Sequence, residues 1–241
     1  MKRLWVAVAM LVLLAPAAAA SSVGWGSLNW GDACWGDAGA ASNLTWACDS
    51  DTYTGIRMTC SFDLGQGMPA LLGAEFYLVG MTETTSVPDW WKLGDAISGD
   101  CRANLISLTA EKSFSSACVS PWQGEQLGGI ASYFWDAGSV GRMSLCGAWV
   151  MADPVAVDAG VEYFAFQIRI SAAKTVGGCA GCSVPVVWSL NRLLIDRLEE
   201  SPLVLESPFS GGNQSLTWQS STSTPVPVRN ATWGQIKSLY R

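Results

Sequence analysis

The chain contains no histidine among its 241 residues. This absence excludes catalysis by Ser-His-Asp or Cys-His groups, general bases that use imidazole, and zinc sites with histidine ligands. Basic residues are also few, since 14 Lys and Arg stand against 20 Asp and Glu, and the formal net charge is −6. Nucleic acid and anionic lipid are therefore not expected as partners, because both bind to positively charged surfaces.

Long apolar runs are lacking except at the N-terminus. There Lys2 and Arg3 precede the run Leu4–Leu14, and small residues follow up to Ala20. A positive start, an apolar segment and a small-residue exit are typical of a secretory signal peptide, so residues 1–20 are predicted to be removed. The remaining chain would have no transmembrane segment and would be extracellular, on the cell surface or periplasmic. A retained membrane anchor is the alternative.

All eight cysteines lie beyond the predicted cleavage point, and an even number in an exported chain predicts disulfides. The spacing at Cys179 and Cys182 also occurs in redox and zinc sites, but the strand-like sequence that follows favours a structural loop. We expect no free thiol. The working hypothesis joins neighbours along the chain, with a last pair between two strands: Cys34–Cys48, Cys101–Cys118, Cys179–Cys182 and Cys60–Cys146.

Alternation of apolar and polar residues predicts strands through most of residues 56–218. The alternation is cleanest in Val161–Ile170. Between Val186 and Leu198 the apolar face switches, which either a β-bulge or a short helix explains. Many short strands, Gly-rich turns and little helical periodicity predict a mostly β protein, an antiparallel β-sandwich or jelly roll stapled by disulfides, over residues 21–219.

The C-terminal residues differ in composition from the rest of the chain. Residues 220–231 are rich in Ser, Thr and Pro and predict a flexible linker. In residues 232–241 the apolar side chains fall at helical spacing. Two interpretations stay open: this segment binds a partner, such as a cell-surface protein, or it covers an apolar edge of its own domain. The candidate contact residues are Trp233, Ile236, Leu239 and Tyr240.

The ending TWGQIKSLYR (232–241) resembles the end of a group of uncharacterised exported bacterial proteins. The stretches 178–186 and 88–91 resemble further segments of the same group. The resemblance implies a bacterial, exported protein with a fold family of its own. It implies no activity and no site residues.

Tryptophan is unusually frequent, with 13 in the chain. Exposed Trp rings stack on sugar rings, so clustered Trp residues predict a polysaccharide-binding surface. The alternative is that each ring is buried in the core. The candidates are the adjacent pair Trp90 and Trp91 and the N-terminal Trp25, Trp30 and Trp35, with Trp46 nearby.

Two patterns of acidic residues suggest chemistry. Asp49 and Asp51 alternate ahead of a glycine, as ligands do in calcium loops, although the other ligands of an EF-hand are missing. The sequence therefore predicts no cofactor and favours a polar turn here, with calcium binding as the alternative. Glu75, Asp89 and Glu162 are candidates for a glycoside hydrolase, which uses two carboxylates and needs no histidine.

The sequence as a whole predicts an exported, non-catalytic binding or surface protein, with polysaccharide as the leading ligand class. One alternative is a structural or assembly component of the cell surface that uses its C-terminal segment as the contact. The other alternative is a carboxylate-based glycoside hydrolase.

Overall fold

A computed structural model describes residues 24–95, 99–136 and 141–219. These residues form eleven β-strands and one short 3-10 helix at Asp89–Trp91. The strands, in chain order, are β1 (Trp25–Trp30), β2 (Asn43–Leu44), β3 (Arg57–Asp63), β4 (Met68–Thr82), β5 (Ile106–Thr109), β6 (Gln126–Trp135), β7 (Arg142–Val157), β8 (Tyr163–Ile170), β9 (Val186–Arg197), β10 (Glu200–Glu206) and β11 (Ser215–Trp218).

The strands form two sheets. The smaller sheet has four strands in the order β1-β3-β8-β5. The larger sheet has seven strands in the order β2-β11-β9-β4-β7-β6, with β10 paired to β9. Only β2 and β11 run parallel, and the other pairings are antiparallel. The prediction of a mostly β, antiparallel architecture is confirmed.

Aromatic rings from both sheets meet in the core. Phe76 of β4 stacks on Phe166 of β8 with ring centroids 4.2 Å apart. Trp149 of β7 meets the same Phe166 edge-on at 5.3 Å. Aromatic pairs of this kind contribute about 0.5–1.5 kcal/mol each beyond the area that they bury. These contacts join the inner faces of the two sheets into a sandwich.

The bulge predicted in β9 is confirmed. Tyr77 of β4 pairs with Arg192, whereas Leu78 pairs with Leu190, so Asn191 has no partner across the ladder. This extra residue reverses the alternation, and Leu190 and Leu193 both face the core. Residues 24–54 precede the stretch in which alternation predicts strands, yet they contain both β1 and β2.

All four predicted disulfide pairs are wrong. The bonds join Cys34 to Cys118, Cys48 to Cys182 and Cys101 to Cys179. Each bond connects loops that are far apart in the sequence, because the order of the strands in the sheets brings those loops together. Cys179 and Cys182 therefore bind different partners instead of each other.

The remaining cysteines, Cys60 and Cys146, are free thiols, so the expectation of no free thiol is also wrong. Cys60 is fully buried on the inner face of β3, opposite Phe166. Cys146 lies in the other sheet, on β7, where its neighbours Leu145 and Gly147 face the core and it faces outward. A disulfide between them would have to cross the core.

The predicted signal peptide (1–20), the linker (220–231) and the C-terminal segment with Trp233, Ile236, Leu239 and Tyr240 lie outside the described residues. Within the described ranges, no helix is long and apolar enough to cross a membrane.

Candidate functional site

The tryptophan pair expected to bind sugar is buried. Trp90 and Trp91 lie in the 3-10 helix, and both are 0% exposed. Trp30 is also buried, and its indole N–H donates to the Thr217 carbonyl at 2.9 Å. A ring without an exposed face cannot stack on a ligand, so the prediction is wrong for these three residues. Trp90 and Trp91 instead pack in the hydrophobic core.

Most of the predicted tryptophans belong to one aromatic cluster around Trp218 of β11. The Trp218 ring stacks on Trp90 at 5.2 Å and meets Trp91 edge-on at 5.6 Å. Trp30 and Trp46 lie within 6.0 Å of the same ring. This cluster ties the 3-10 helix and the segment around Trp46 to the end of the larger sheet.

A buried arginine, Arg102, packs against the aromatic cluster. The guanidinium of Arg102 lies 3.7 Å from the centre of the Trp90 ring. Its nitrogens donate to the carbonyl of Trp90 at 2.8 Å, to that of Ala173 at 3.1 Å and to that of Ser171. Burial lowers the pKa of Arg102 to about 10, which leaves it positively charged at neutral pH. Arg102 therefore braces two loops against each other through carbonyl oxygens and an aromatic face.

The two other candidate tryptophans are accessible but do not form a platform together. Trp35 is 47% exposed. Trp25 is half-buried at the start of β1, and its ring packs beside Gly211 and Gly212. No ring contact joins Trp25 to Trp35 among the described residues. Neither ring is part of a wider aromatic surface.

Two of the three candidate hydrolase carboxylates have structural contacts. Glu162 accepts hydrogen bonds from the backbone N–H groups of Trp35 at 2.7 Å and Gly36 at 2.9 Å, and also from Ser61 Oγ. It thereby fixes the loop after β1 to the start of β8. Asp89 forms an ion pair with Lys92 at 2.7 Å.

Glu75, the third candidate, lies on the outer face of β4, close to Asp196 of β9. Burial and the charge of Glu75 together raise the pKa of Asp196. Neither carboxylate lines either of the two cavities described below. Hydrolysis by two carboxylates stays an untested prediction.

Of the two candidate calcium ligands, Asp51 is already used in a hydrogen bond within the protein. Asp51 Oδ1 accepts a hydrogen bond from the Val176 backbone N–H at 2.8 Å. Across the described ranges, no three Asp, Glu, Cys or His side chains lie close enough together to hold a metal ion. Calcium binding at Asp49 and Asp51 stays a prediction.

An open groove crosses one end of the smaller sheet and has a volume of about 480 Å³. The segment 51–57 forms one wall, and the first residues of β5 form the other. Across the floor, Arg57 of β3 pairs with Arg169 of β8, which pairs with Ser107 of β5. The apolar side chains of Ile56, Leu105 and Ile170 also line the groove. The groove therefore combines apolar surface with hydrogen-bond donors.

The charges around the two groove arginines are unbalanced. Arg57 and Arg169 lie directly opposite each other, an arrangement that is destabilising for like charges. Asp32 pairs with Arg57 and also accepts from Gln167 at 2.9 Å, while Arg169 donates to Gln167 at 2.8 Å. Burial acts to raise the pKa of Asp32, but these hydrogen bonds and the charges of both arginines lower it overall. One carboxylate thus faces two guanidinium groups.

An aromatic side chain stands at the wall of the groove. Tyr53 lines the groove and is half-buried. Its ring stacks on Trp46, with centroids 4.9 Å apart and an interplanar angle of 17°. A Cβ atom at Gly55 would lie 2.3 Å from the Tyr53 hydroxyl, so glycine is needed there for the ring to keep its place. Trp46 acts as the support of this ring, a role that its position in the sequence did not reveal.

A second, smaller cleft of about 310 Å³ lies between the edge strands β5 and β6. Its lining includes Glu111, Gln126, Gly128 and the buried Trp149. It contains no arginine and no half-exposed aromatic ring, so the first groove is the better candidate for ligand binding.

The fold and the groove define a class: an antiparallel β-sandwich protein held by three disulfides, with an open groove of mixed apolar and polar lining on its smaller sheet. Comparisons with protein-family models, with curated proteins and with solved structures found no match to this chain. The case for a function is therefore built on the residues of the groove.

Proposed function

We propose that the protein is an exported, non-catalytic binding protein and that its ligand is a polysaccharide, bound in the groove of the smaller sheet. The observation that carries this proposal is the groove itself, in which the Tyr53 ring stands beside Arg57 and Arg169. Sugar rings present apolar C–H faces and oxygen-rich edges, so a sugar site needs an aromatic face together with hydrogen-bond donors.

The groove contains both an aromatic ring, that of Tyr53, and hydrogen-bond donors, those of Arg57 and Arg169. A guanidinium carries five N–H donors, and the contacts with described residues use Nε and Nη1 of Arg57 and Nε and Nη2 of Arg169. Further donors are left for hydroxyl or carboxylate oxygens of a ligand. The three disulfides are consistent with an oxidising, extracellular location.

Binding can be tested on an array of soluble glycans and cell-wall polysaccharides, probed with the mature protein with calcium and with a chelator. Ser107→Trp is the sharpest variant, because it fills the groove from an exposed strand position and removes no existing contact. Tyr53→Ala removes the aromatic wall. The matched control is Trp35→Ala, which deletes an exposed ring outside the groove.

We expect Ser107→Trp and Tyr53→Ala to weaken binding at least about tenfold, the loss typical of a central contact in a binding site, and Trp35→Ala to leave it unchanged. Equal binding by the Ser107→Trp variant would place the ligand elsewhere. An array without any binding would refute the polysaccharide proposal. Loss of binding with the chelator would show a calcium requirement, for which Asp49 and Asp51 are the candidate ligands.

A further inference from the structure

The outer face of the larger sheet carries several exposed apolar side chains. Four of the eight large apolar side chains that are exposed lie there: Met81 (42% exposed), Leu127 (73%), Phe134 (53%) and Val150 (39%). Their outward direction follows from alternation, because their neighbours along each strand, such as Leu78 and Trp149, face the core. We call this surface, with Tyr77 and Cys146 between those side chains and Leu194 on the neighbouring strand β9, the outer face.

Acidic side chains accompany this apolar surface. Glu75 and Asp196 lie on the outer face, and neither forms an ion pair with a described residue. Of the two arginines on the same face, Arg192 pairs with Glu206, and Arg142 donates to the Tyr77 hydroxyl. The face therefore suits an occupant that is apolar and positively charged.

The last residues of the chain have this chemistry. Residues 220–241 contain Arg229, Lys237 and Arg241 and no acidic residue, a charge of +3. Residues 21–219 contain the other nine basic residues beyond the predicted leader and all 20 acidic ones, a net charge of −11. Four large apolar side chains, Trp233, Ile236, Leu239 and Tyr240, lie among these basic residues.

The linker, residues 220–231, is long enough to bring the C-terminal segment from the end of β11 to the outer face. Trp218, the last residue of β11, pairs with Val186 of β9, and Val186 pairs with Thr82 of β4. Thr82 is next to Met81. The described residues therefore stop close to the part of the sheet that carries Met81 and Phe134. From β11 to β7 there are three strand spacings, about 14 Å in all. The twelve residues 220–231 span about 37 Å when extended in the manner of a Pro-rich linker.

We propose that residues 232–241 dock on the outer face of the sheet in the same chain. The apolar side chains of the segment cover Met81, Phe134 and the surface around Cys146. Lys237 and Arg241 lie near Glu75 and Asp196. The docked segment removes an apolar patch from the surface, and patches of this kind otherwise promote association.

The reaction rate of the Cys146 thiol can be used to measure this docking. It lies partly exposed in the middle of the outer face, whereas Cys60, the other free thiol, is fully buried. Under native conditions an aromatic disulfide reagent should therefore react with Cys146 first, at a rate that falls when the face is covered. The experiment compares the full mature chain with its Trp233→Ser/Leu239→Ser variant. The matched control, Gln235→Ser/Ser238→Thr, changes polar residues of the same segment.

A tether of this length gives an effective concentration of about 1 mM, so a segment whose intrinsic Kd is about 0.1 mM is docked about 90% of the time. We therefore expect the Trp233→Ser/Leu239→Ser variant to react about tenfold faster than the unaltered chain, and the control variant to react at the unaltered rate. Circular dichroism checks that all three proteins are folded. Equal rates in the three proteins would overturn the proposal.

A second measurement identifies the source of the segment. In a Leu239→Cys variant, a short bis-maleimide should join positions 146 and 239 within one monomer, as shown by mass spectrometry of the linked peptide. A linked peptide found only in dimers, or protection of Cys146 that increases with protein concentration, would mean that the segment comes from a neighbouring copy, and docking in the same chain would be wrong.

Discussion

Replacement of Arg102 by methionine should destabilise the fold strongly. Methionine keeps much of the volume of the side chain but cannot donate a hydrogen bond. The carbonyl of Trp90, which is fully buried, would lose its donor, and an unsatisfied buried acceptor costs about 1–3 kcal/mol. The contact with the face of the Trp90 ring, worth about 2 kcal/mol when desolvated, would also be lost.

Removal of a buried charge offsets part of this loss, because burial disfavours the charged guanidinium, as its lowered pKa shows. We therefore expect Arg102→Met to lower the free energy of unfolding by about 3 kcal/mol. For a urea m value of about 2 kcal/mol/M, the unfolding midpoint would fall by about 1.5 M. Far-UV circular dichroism with the disulfides intact is the suitable assay, because tryptophan fluorescence would respond to the substitution itself.

The matched control is Arg142→Met, which removes an exposed arginine bonded only to the Tyr77 hydroxyl among described residues. A surface substitution of this kind should change stability by less than about 0.5 kcal/mol. Arg102→Lys should fall between the two, because an ammonium keeps the charge but cannot reach three carbonyls with the geometry of a guanidinium. A midpoint for Arg102→Met within about 0.3 M of the unaltered protein, at an unchanged m value, would refute this account of the brace.

Three further predictions concern the disulfides, the thiols and pH. Loss of the Cys48–Cys182 bond, which closes a separation of 134 residues, should cost about 2–5 kcal/mol, measured as the fall in urea midpoint of the double alanine variant. Thiol titration should find two reactive groups per denatured chain, Cys60 and Cys146, and a count of zero would contradict the pairing seen here. Because the pKa of Asp32 is lowered in the folded state, its contribution to stability is present above the unfolded value of 3.8 and is lost as the pH falls through the folded value. The difference in urea midpoint between the unaltered protein and Asp32→Asn should therefore shrink between about pH 6 and about pH 2.5, and a constant difference would contradict this assignment.

The strands were predictable because alternation is a local property of the sequence. In β8, Phe164, Phe166 and Ile168 face the core as their spacing indicates. The bulge in β9 was also visible as a switch of the apolar face, and it carries the extra residue Asn191. The ends of the strands were less predictable. The alternation predicts strands at Leu71–Met81 and Val140–Met151, whereas β4 begins at Met68 and β7 continues to Val157. Pairing with neighbouring strands extends them past the point where the local pattern ends.

The candidate site was not predictable in the same way. The sequence indicated Trp90 and Trp91 as ligand-binding, yet both are core residues, because an aromatic side chain suits a core and a sugar site equally well. Tyr53, Arg57 and Arg169 gave no signal, since Arg169 lies more than 100 residues away from the other two in the sequence. Only the register of β3 against β8 brings the two arginines together at the floor of one groove.

The sequence by itself determined the mostly β character of the fold, the disulfide-forming character of the chain and the exclusion of histidine chemistry, since each depends on composition or on neighbours along the chain. The tertiary structure alone decided which cysteines pair, which tryptophans are exposed and which side chains share a groove. Those properties depend on the order of strands in the two sheets, and that order joins Cys48 to Cys182 across 134 residues and leaves Cys60 and Cys146 on opposite sides of the core. Contacts between distant segments are fixed by the packing of whole sheets, which no local pattern encodes.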